Sequence, residues 1–142
     1  MKSAADFNLA GVGKLPGYLG LEVLSVDKHE VRARMPVKPE LLAPNGYLHA
    51  GSVITLADTC AGYGCVVNLP EGAVGFTTVE LKSNHLGTAL QGVLLGVATP
   101  AHLGRTTQVW DASVTHEQSG RTLALFRCTQ MLLYTRPGSK GS

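Results

Sequence analysis

The chain has 142 residues, of which 44% are hydrophobic and only 15% charged, and it carries a net charge of +2. That length suits one domain with a sizeable core, and the slight positive balance excludes the dense basic stripe of a nucleic-acid binder. So apolar a composition in so small a chain points to self-association, because one copy has too little interior to hide it.

Residues 4–16 predict a short helix ending near Pro16-Gly17, in an N-terminal extension over 1–17. "LGLEVLSV" (19–26) and "VRARMPV" (31–37) read as strands joined by "DKHE". The second alternates cleanly, with Val31, Ala33, Met35 and Val37 on one face and Arg32 and Arg34 on the other. "KPELLAPNGYL" (38–48) is a loop punctuated by Pro and Gly. A helix over about 50–67 follows, and "NLPEG" closes it. Strands are expected at 73–85, 90–102, 105–117 and 121–135, with turn residues in "GTALQG", "AHLG" and "EQSGR". Residues 136–142 read as a solvated tail.

The helix is apolar all round, so it should be buried on every side. One helix cannot cover both faces of six strands. The expected fold is therefore α+β, a six-stranded antiparallel sheet wrapped around one long central helix, as a single domain over 1–142. A second subunit would shield the remaining edge or face. A membrane span needs about 20 apolar residues. The helix is shorter, rich in Gly and Thr, and contains Asp58, so no membrane partner is expected. Cys60, Cys65 and Cys128 are odd in number and form no CxxC, which fits reduced core thiols in a cytoplasmic protein without a secretory leader.

Asp58 is the only formal charge between Glu40 and Glu71. Its surroundings, "NGYLHAGSVITLAD" (45–58), resemble the N..G.lHGG....laD signature of hotdog-fold acyl-CoA thioesterases. The branch with phenylacetate-degradation and 4-hydroxybenzoyl-CoA thioesterases is the most similar, and "GRTTQVWDASVTHEQSGRTLALFRCTQML" (104–132) resembles that branch's last two strands. The resemblance implies an acyl-CoA substrate, aryl or medium-chain, with no separate cofactor, since the coenzyme A moiety belongs to the substrate. It implies Asp58 as nucleophile or general base, and the backbone N–H of Ala50 as the group that polarises the thioester carbonyl. His49 orders the loop and contacts the thioester, and Thr78 assists the attacking water. Gly104, Arg105 and Thr106 match a strand start that contacts the pantetheine and phosphates, where a guanidinium suits phosphate oxygens. The chain departs from the pattern at Ala43, where relatives often carry Asn or Gln. Asn45, two residues on, is the candidate replacement.

Thioester hydrolysis needs an oxyanion donor and a carboxylate that attacks or activates water. "HAGS" supplies a helix start with unpaired N–H groups, where Ala50 and Gly51 admit a ligand close to the backbone. From Ala50 to Asp58 is about 12 Å along one helix. One carbonyl cannot touch both, so a shared site needs two helices and hence a two-fold dimer. The apolar composition extends the expectation to a homotetramer, a dimer of dimers.

Simpler readings stand beside these. Asp58 could pair with an Arg, and Asn45 could only turn the chain. Glu80 and Lys82 lie on Thr78's side of an ideal strand and could form an ion pair there. His85, His102 and His116 lack ligand spacing, so no metal is expected. The rival function is a non-catalytic acyl-CoA-binding hotdog module. A hydratase fits worse, since such sites pair Asp and His at shorter spacing and in the opposite order.

Overall fold

The computed structural model describes residues 1–136; the expected tail lies almost wholly outside them. Helix α1 (Ala4–Gly11) starts at a capping box, in which Ser3 and Asp6 satisfy each other's backbone N–H. The single helix expected over 4–16 is instead two, because the chain breaks at Gly13 (φ +75°) before α2 (Leu15–Tyr18). Strands β1 (Glu22–Val26) and β2 (Val31–Pro36) form the hairpin, followed by α3 (Ala50–Val67). The last four strands are β3 (Ala73–His85), β4 (Val93–Leu103), β5 (Thr107–His116) and β6 (Thr122–Tyr134).

All six strands form one antiparallel sheet in the order β1-β2-β4-β5-β6-β3, and α3 lies against β2, β4, β5 and β6. The hotdog architecture is thus present. Val53, Leu56, Ala57, Cys60, Ala61, Gly62, Gly64 and Cys65 of α3 are buried. All but Gly62, which Phe76 covers from the other side, have the spacing of one helical stripe. The helix is therefore not buried on every side. Thr55, Asp58, Thr59, Tyr63 and Val66 fall off the stripe and stay half-buried. Two glycines set how closely helix and sheet approach. A Cβ on Gly64 would lie 2.4 Å from the Trp110 ring, and one on Gly96 would lie 2.8 Å from Leu56. Trp110 is fully buried, and its indole N–H donates to Gln108, whose amide donates in turn to the carbonyl of Asn68 at the end of α3.

The two sheet edges are treated differently. At β1, the Asn8 side chain donates to the Val23 carbonyl and accepts from its N–H (3.0 and 2.7 Å), so α1 caps that edge with a strand-like pair. At the other edge β3 pairs only with β6, and most of its 13 residues are exposed. A bulge between Thr78 and Glu80 shifts the register there. It reverses the facing of the later residues of the strand, so Glu80 and Lys82 lie on the face opposite Thr78, contrary to the ideal-strand expectation. Glu80 accepts a hydrogen bond from Thr129 at 2.6 Å, and no Glu80–Lys82 ion pair forms among the described residues.

Candidate active site

The loop before α3 is held from several directions. The His49 N–H donates to the Leu41 carbonyl, the Ser52 hydroxyl donates to the same oxygen, and the Leu48 N–H donates to Thr88. Asn45 accepts from the Tyr47 N–H at 3.1 Å, so its carbonyl oxygen closes the turn. Ala43 is half-buried and bonded through its backbone to Tyr47 and Gly46.

His49 is the N-cap of α3, and its Nδ1 accepts the Gly51 N–H at 2.7 Å. An accepting Nδ1 carries no proton, so the neutral ring holds its proton on Nε2 as a donor. Gly51 makes this cap possible, since a Cβ there would stand 2.9 Å from Nδ1. The N–H of Ser52 donates to the His49 carbonyl at 3.0 Å, and that of Val53 to the same oxygen at 3.4 Å. Only the Ala50 N–H of the first turn has no acceptor among the described residues, and Ala50 is exposed. The helix start therefore presents one open donor at its positive end.

Asp58 lies two turns further along, about 12 Å away on the same axis. It is half-buried, and its Oδ1 is sealed from solvent without a hydrogen-bond partner among the described residues. Burial raises its pKa above the ordinary value of 3.8, and no other group contributes. The pairing with an Arg that a bland reading would supply is absent among the described residues. Asp58 opens on a cavity of about 320 Å³ that Phe7, Thr59, Gly62, Tyr63 and Phe76 also line. Burial raises the Cys128 thiol to about 12, and the Asp58 carboxylate adds to the shift, so the acid faces the β3–β6 side of the barrel.

Thr78 shares that side. It is exposed, and its hydroxyl donates to the fully buried Gln130 at 2.7 Å. Gly104, Arg105 and Thr106 form the turn before β5 rather than its first residues. The Tyr134 hydroxyl bonds to the Arg105 carbonyl, and the Leu132 N–H to that of Thr106. Arg105 is exposed. One protomer thus brings Asn45, His49, Ala50 and Gly51 together, sets Asp58 and Thr78 on one side further along, and holds Arg105 in a turn at the end of β6. The sequence did not point to Lys2, Phe7, Gly62 or Phe76 as cavity walls, nor to Gln130. The inward alternation Cys128, Gln130, Leu132 was the one available signal for the last.

Residues 45–123 match the model of the thioesterase superfamily. The chain is 33% identical over 129 residues to a 1,4-dihydroxy-2-naphthoyl-CoA hydrolase of Escherichia coli, covering 89% of this chain and 91% of that protein. It is 32% identical over 114 residues to the proofreading thioesterase EntH of Cronobacter turicensis, covering 80% and 82%. Among solved structures, a thioesterase of Pseudomonas aeruginosa, itself a Gln-to-Ala variant, superposes with a TM-score of 0.89 at 26% identity over 95% of this chain and 96% of that one. An open amide at a helix start, a sealed carboxylate on the same helix and these likenesses agree. The chain belongs to the thioesterase superfamily and is a hotdog-fold thioester hydrolase.

Proposed function

We propose that this protein hydrolyses the thioester of an aryl- or medium-chain acyl-CoA in sites built from two chains. The observation that carries the proposal is the pair of unsatisfied groups on α3: the open Ala50 N–H and the unpartnered Asp58 carboxylate. Each is what one half of the reaction needs, and about 12 Å of helix keeps them from serving one carbonyl within a chain. The exposed β3 edge supports the dimer, because pairing with a second β3 across a two-fold would cover it. Apolar Leu125, Met131 and Leu133, exposed on β6, are the surface we assign to stacking two dimers into a tetramer.

In the reaction, the thioester carbonyl accepts the N–H of Ala50 of the partner subunit, with Nε2–H of the partner's His49 beside it. Asp58 attacks the carbonyl carbon, or takes a proton from a water that does. The charge that develops on oxygen meets a donor already oriented, and the coenzyme A sulfur leaves. Thr78 holds the attacking water through its free lone pairs. Asn45, two residues past the position where relatives use an amide, is its candidate replacement, although its oxygen is engaged in the turn. Gly51 keeps the backbone approachable, and Gly104, Arg105 and Thr106 receive the pantetheine and phosphates. Three buried, protonated thiols suit a reducing compartment, so we place the protein in the cytoplasm.

The test is release of free coenzyme A from a panel of aryl- and medium-chain acyl-CoAs by wild type and Asp58→Ala. Turnover by wild type and its loss in the variant are expected. Tight binding without turnover would favour the non-catalytic binding module.

A further inference from the structure

Gln108 and Gln130 are the buried polar residues among those described. They sit side by side in register on β5 and β6, and Thr78 of β3 continues the row. The Gln108 amide is fully engaged inside the protein. Its oxygen accepts the Trp110 indole N–H at 2.8 Å, and its nitrogen donates to the Asn68 carbonyl at 2.9 Å. Those two core groups would otherwise go unpaired, which accounts for its burial. Gln130 has no such structural duty. Its Nε2 meets the Cys128 thiol at 3.5 Å, a weak acceptor. Its one strong hydrogen bond is the one it accepts from Thr78, at 2.7 Å. Thr78 is exposed, so water could bond its hydroxyl without any help. Burying an amide costs free energy where its bonds are incomplete, and an apolar side chain would fill the same place without that cost.

The row lies beside Asp58. Phe76, two residues before Thr78 on the same face of β3, lines the cavity on which Asp58 opens. Cys128, the next inward residue of β6, lies within reach of the Asp58 charge, which adds to the effect of burial on its thiol. The bulge at Val79 starts directly after Thr78, an irregularity of the kind that re-aims a side chain. A hydroxyl has one proton and two lone pairs. Gln130 takes the proton, so Thr78 shows its lone pairs alone to the site.

We propose that Gln130 is a positioning residue for hydrolysis: it makes the Thr78 hydroxyl an acceptor only and thereby sets which way the attacking water points. One O–H of that water goes to Thr78 and the other to Asp58, which leaves a lone pair for the thioester carbon. The new C–O bond forms as the O–H towards Asp58 breaks and its proton passes to the carboxylate. The C–S bond then breaks, and that proton goes to the coenzyme A sulfur. A Thr78 hydroxyl free to rotate would donate to the water and occupy the lone pair that must attack. The proposal rests on Asp58 being the carboxylate that activates water, and it adds the residue that orients that water.

A double-mutant cycle on the panel ester that wild type hydrolyses fastest tests it, with a thermal melt of each variant to show that it is folded. Gln130→Met, of similar volume without the acceptor, should lower kcat roughly tenfold to a hundredfold, with KM within about twofold. Gln130→Leu is a second truncation for the same cycle. Thr78→Val should lose about as much, and Gln130→Met added to Thr78→Val should cost nothing further. Gln130→Glu should recover most of the loss, because burial keeps the introduced acid protonated, with a carbonyl oxygen towards Thr78 and an O–H towards Cys128. Losses that multiply in the double variant, a raised KM at unchanged kcat, a truncation as fast as wild type, or a Gln130→Glu no better than Gln130→Met each overturn the proposal. Asp58→Asn separates the two readings. Its loss of turnover beside undiminished truncations keeps the acid and removes Gln130 from the mechanism, whereas undiminished turnover by Asp58→Asn removes the acid and this proposal with it.

Discussion

Ala50→Pro isolates a single atom pair, the amide nitrogen and its hydrogen. Proline at the first helical position is normally harmless, because its missing N–H is one that has no intrahelical partner. Here that N–H has no acceptor among the described residues, and Ala50 is exposed, leaving room for the ring. The preceding residue is also compatible. His49 sits at φ −67°, ψ 131°, in the extended region that a following proline requires. No hydrogen bond of the cap is lost, since the N–H groups of Gly51, Ser52 and Val53 keep their acceptors. Folding stability should therefore hold or rise by about 0.4–1 kcal/mol through the stiffer unfolded chain. Catalysis should behave in the opposite way. Removal of one oxyanion donor lowers kcat by roughly 10²–10³-fold, about 2.7–4 kcal/mol. The assay is acyl-CoA hydrolysis alongside a thermal melt, with Ala50→Val as the control that adds bulk and keeps the N–H. If Ala50→Pro turned over as fast as Ala50→Val, the donor role of this amide would be refuted.

Asp58→Asn should lose activity by roughly 10²–10⁴-fold while gaining stability at neutral pH. The sign comes from the raised pKa. The unfolded carboxylate ionises first as pH rises, so the folded state is penalised increasingly through the window above 3.8 and fully once the folded group ionises. Melts of wild type and variant should thus converge near pH 3.5 and separate by about 3 °C per kcal/mol at pH 7, and parallel curves would contradict the sealed carboxylate. Gly64→Ala should destabilise by about 1–3 kcal/mol in chemical denaturation, because its methyl meets the Trp110 ring at 2.4 Å. Native protein at pH 8 should leave Cys60, Cys65 and Cys128 unlabelled by a thiol reagent, since burial raises all three to about 12, and all three should react once it is unfolded.

The helix over Ala50–Val67 and the strand over Ala73–His85 were legible, because "HAGS" and "NLPEG" punctuate the apolar run and the turn residues of "GTALQG" follow the strand. Asp58 was legible for a related reason: a formal charge in a long uncharged stretch has to be explained locally. What failed was non-local. The bulge at Val79 leaves no mark on the local pattern and turns Glu80 and Lys82 to the other face. The stacking of Phe7 on Tyr63 joins residues 56 apart, so nothing near either residue announces the cavity wall they make. The amphipathic logic of α3 was also misjudged, since an apolar helix does not have to be enclosed. Its half-buried face is where the acid, the cavity and α1 meet.

The proposed two-chain site has a consequence that no one-chain site shares. Ala50→Pro and Asp58→Asn remove different halves of the machinery, and each homodimer should be nearly inactive. Mixing the two with subunit exchange produces mixed dimers. In each of these, one site combines the intact acid of the Ala50→Pro chain with the intact amide of the Asp58→Asn chain, and the other site lacks both. With random exchange half the dimers are mixed and each has one working site of two, so the mixture should recover roughly one quarter of wild-type activity. Were the amide and the acid to act within one protomer, every site in the mixture would lack one of them and activity would stay at the level of the separate variants. The outcome turns on the rise of an α-helix: about 12 Å between Ala50 and Asp58 is too far for one carbonyl, which is why the proposed site takes one group from each of two chains.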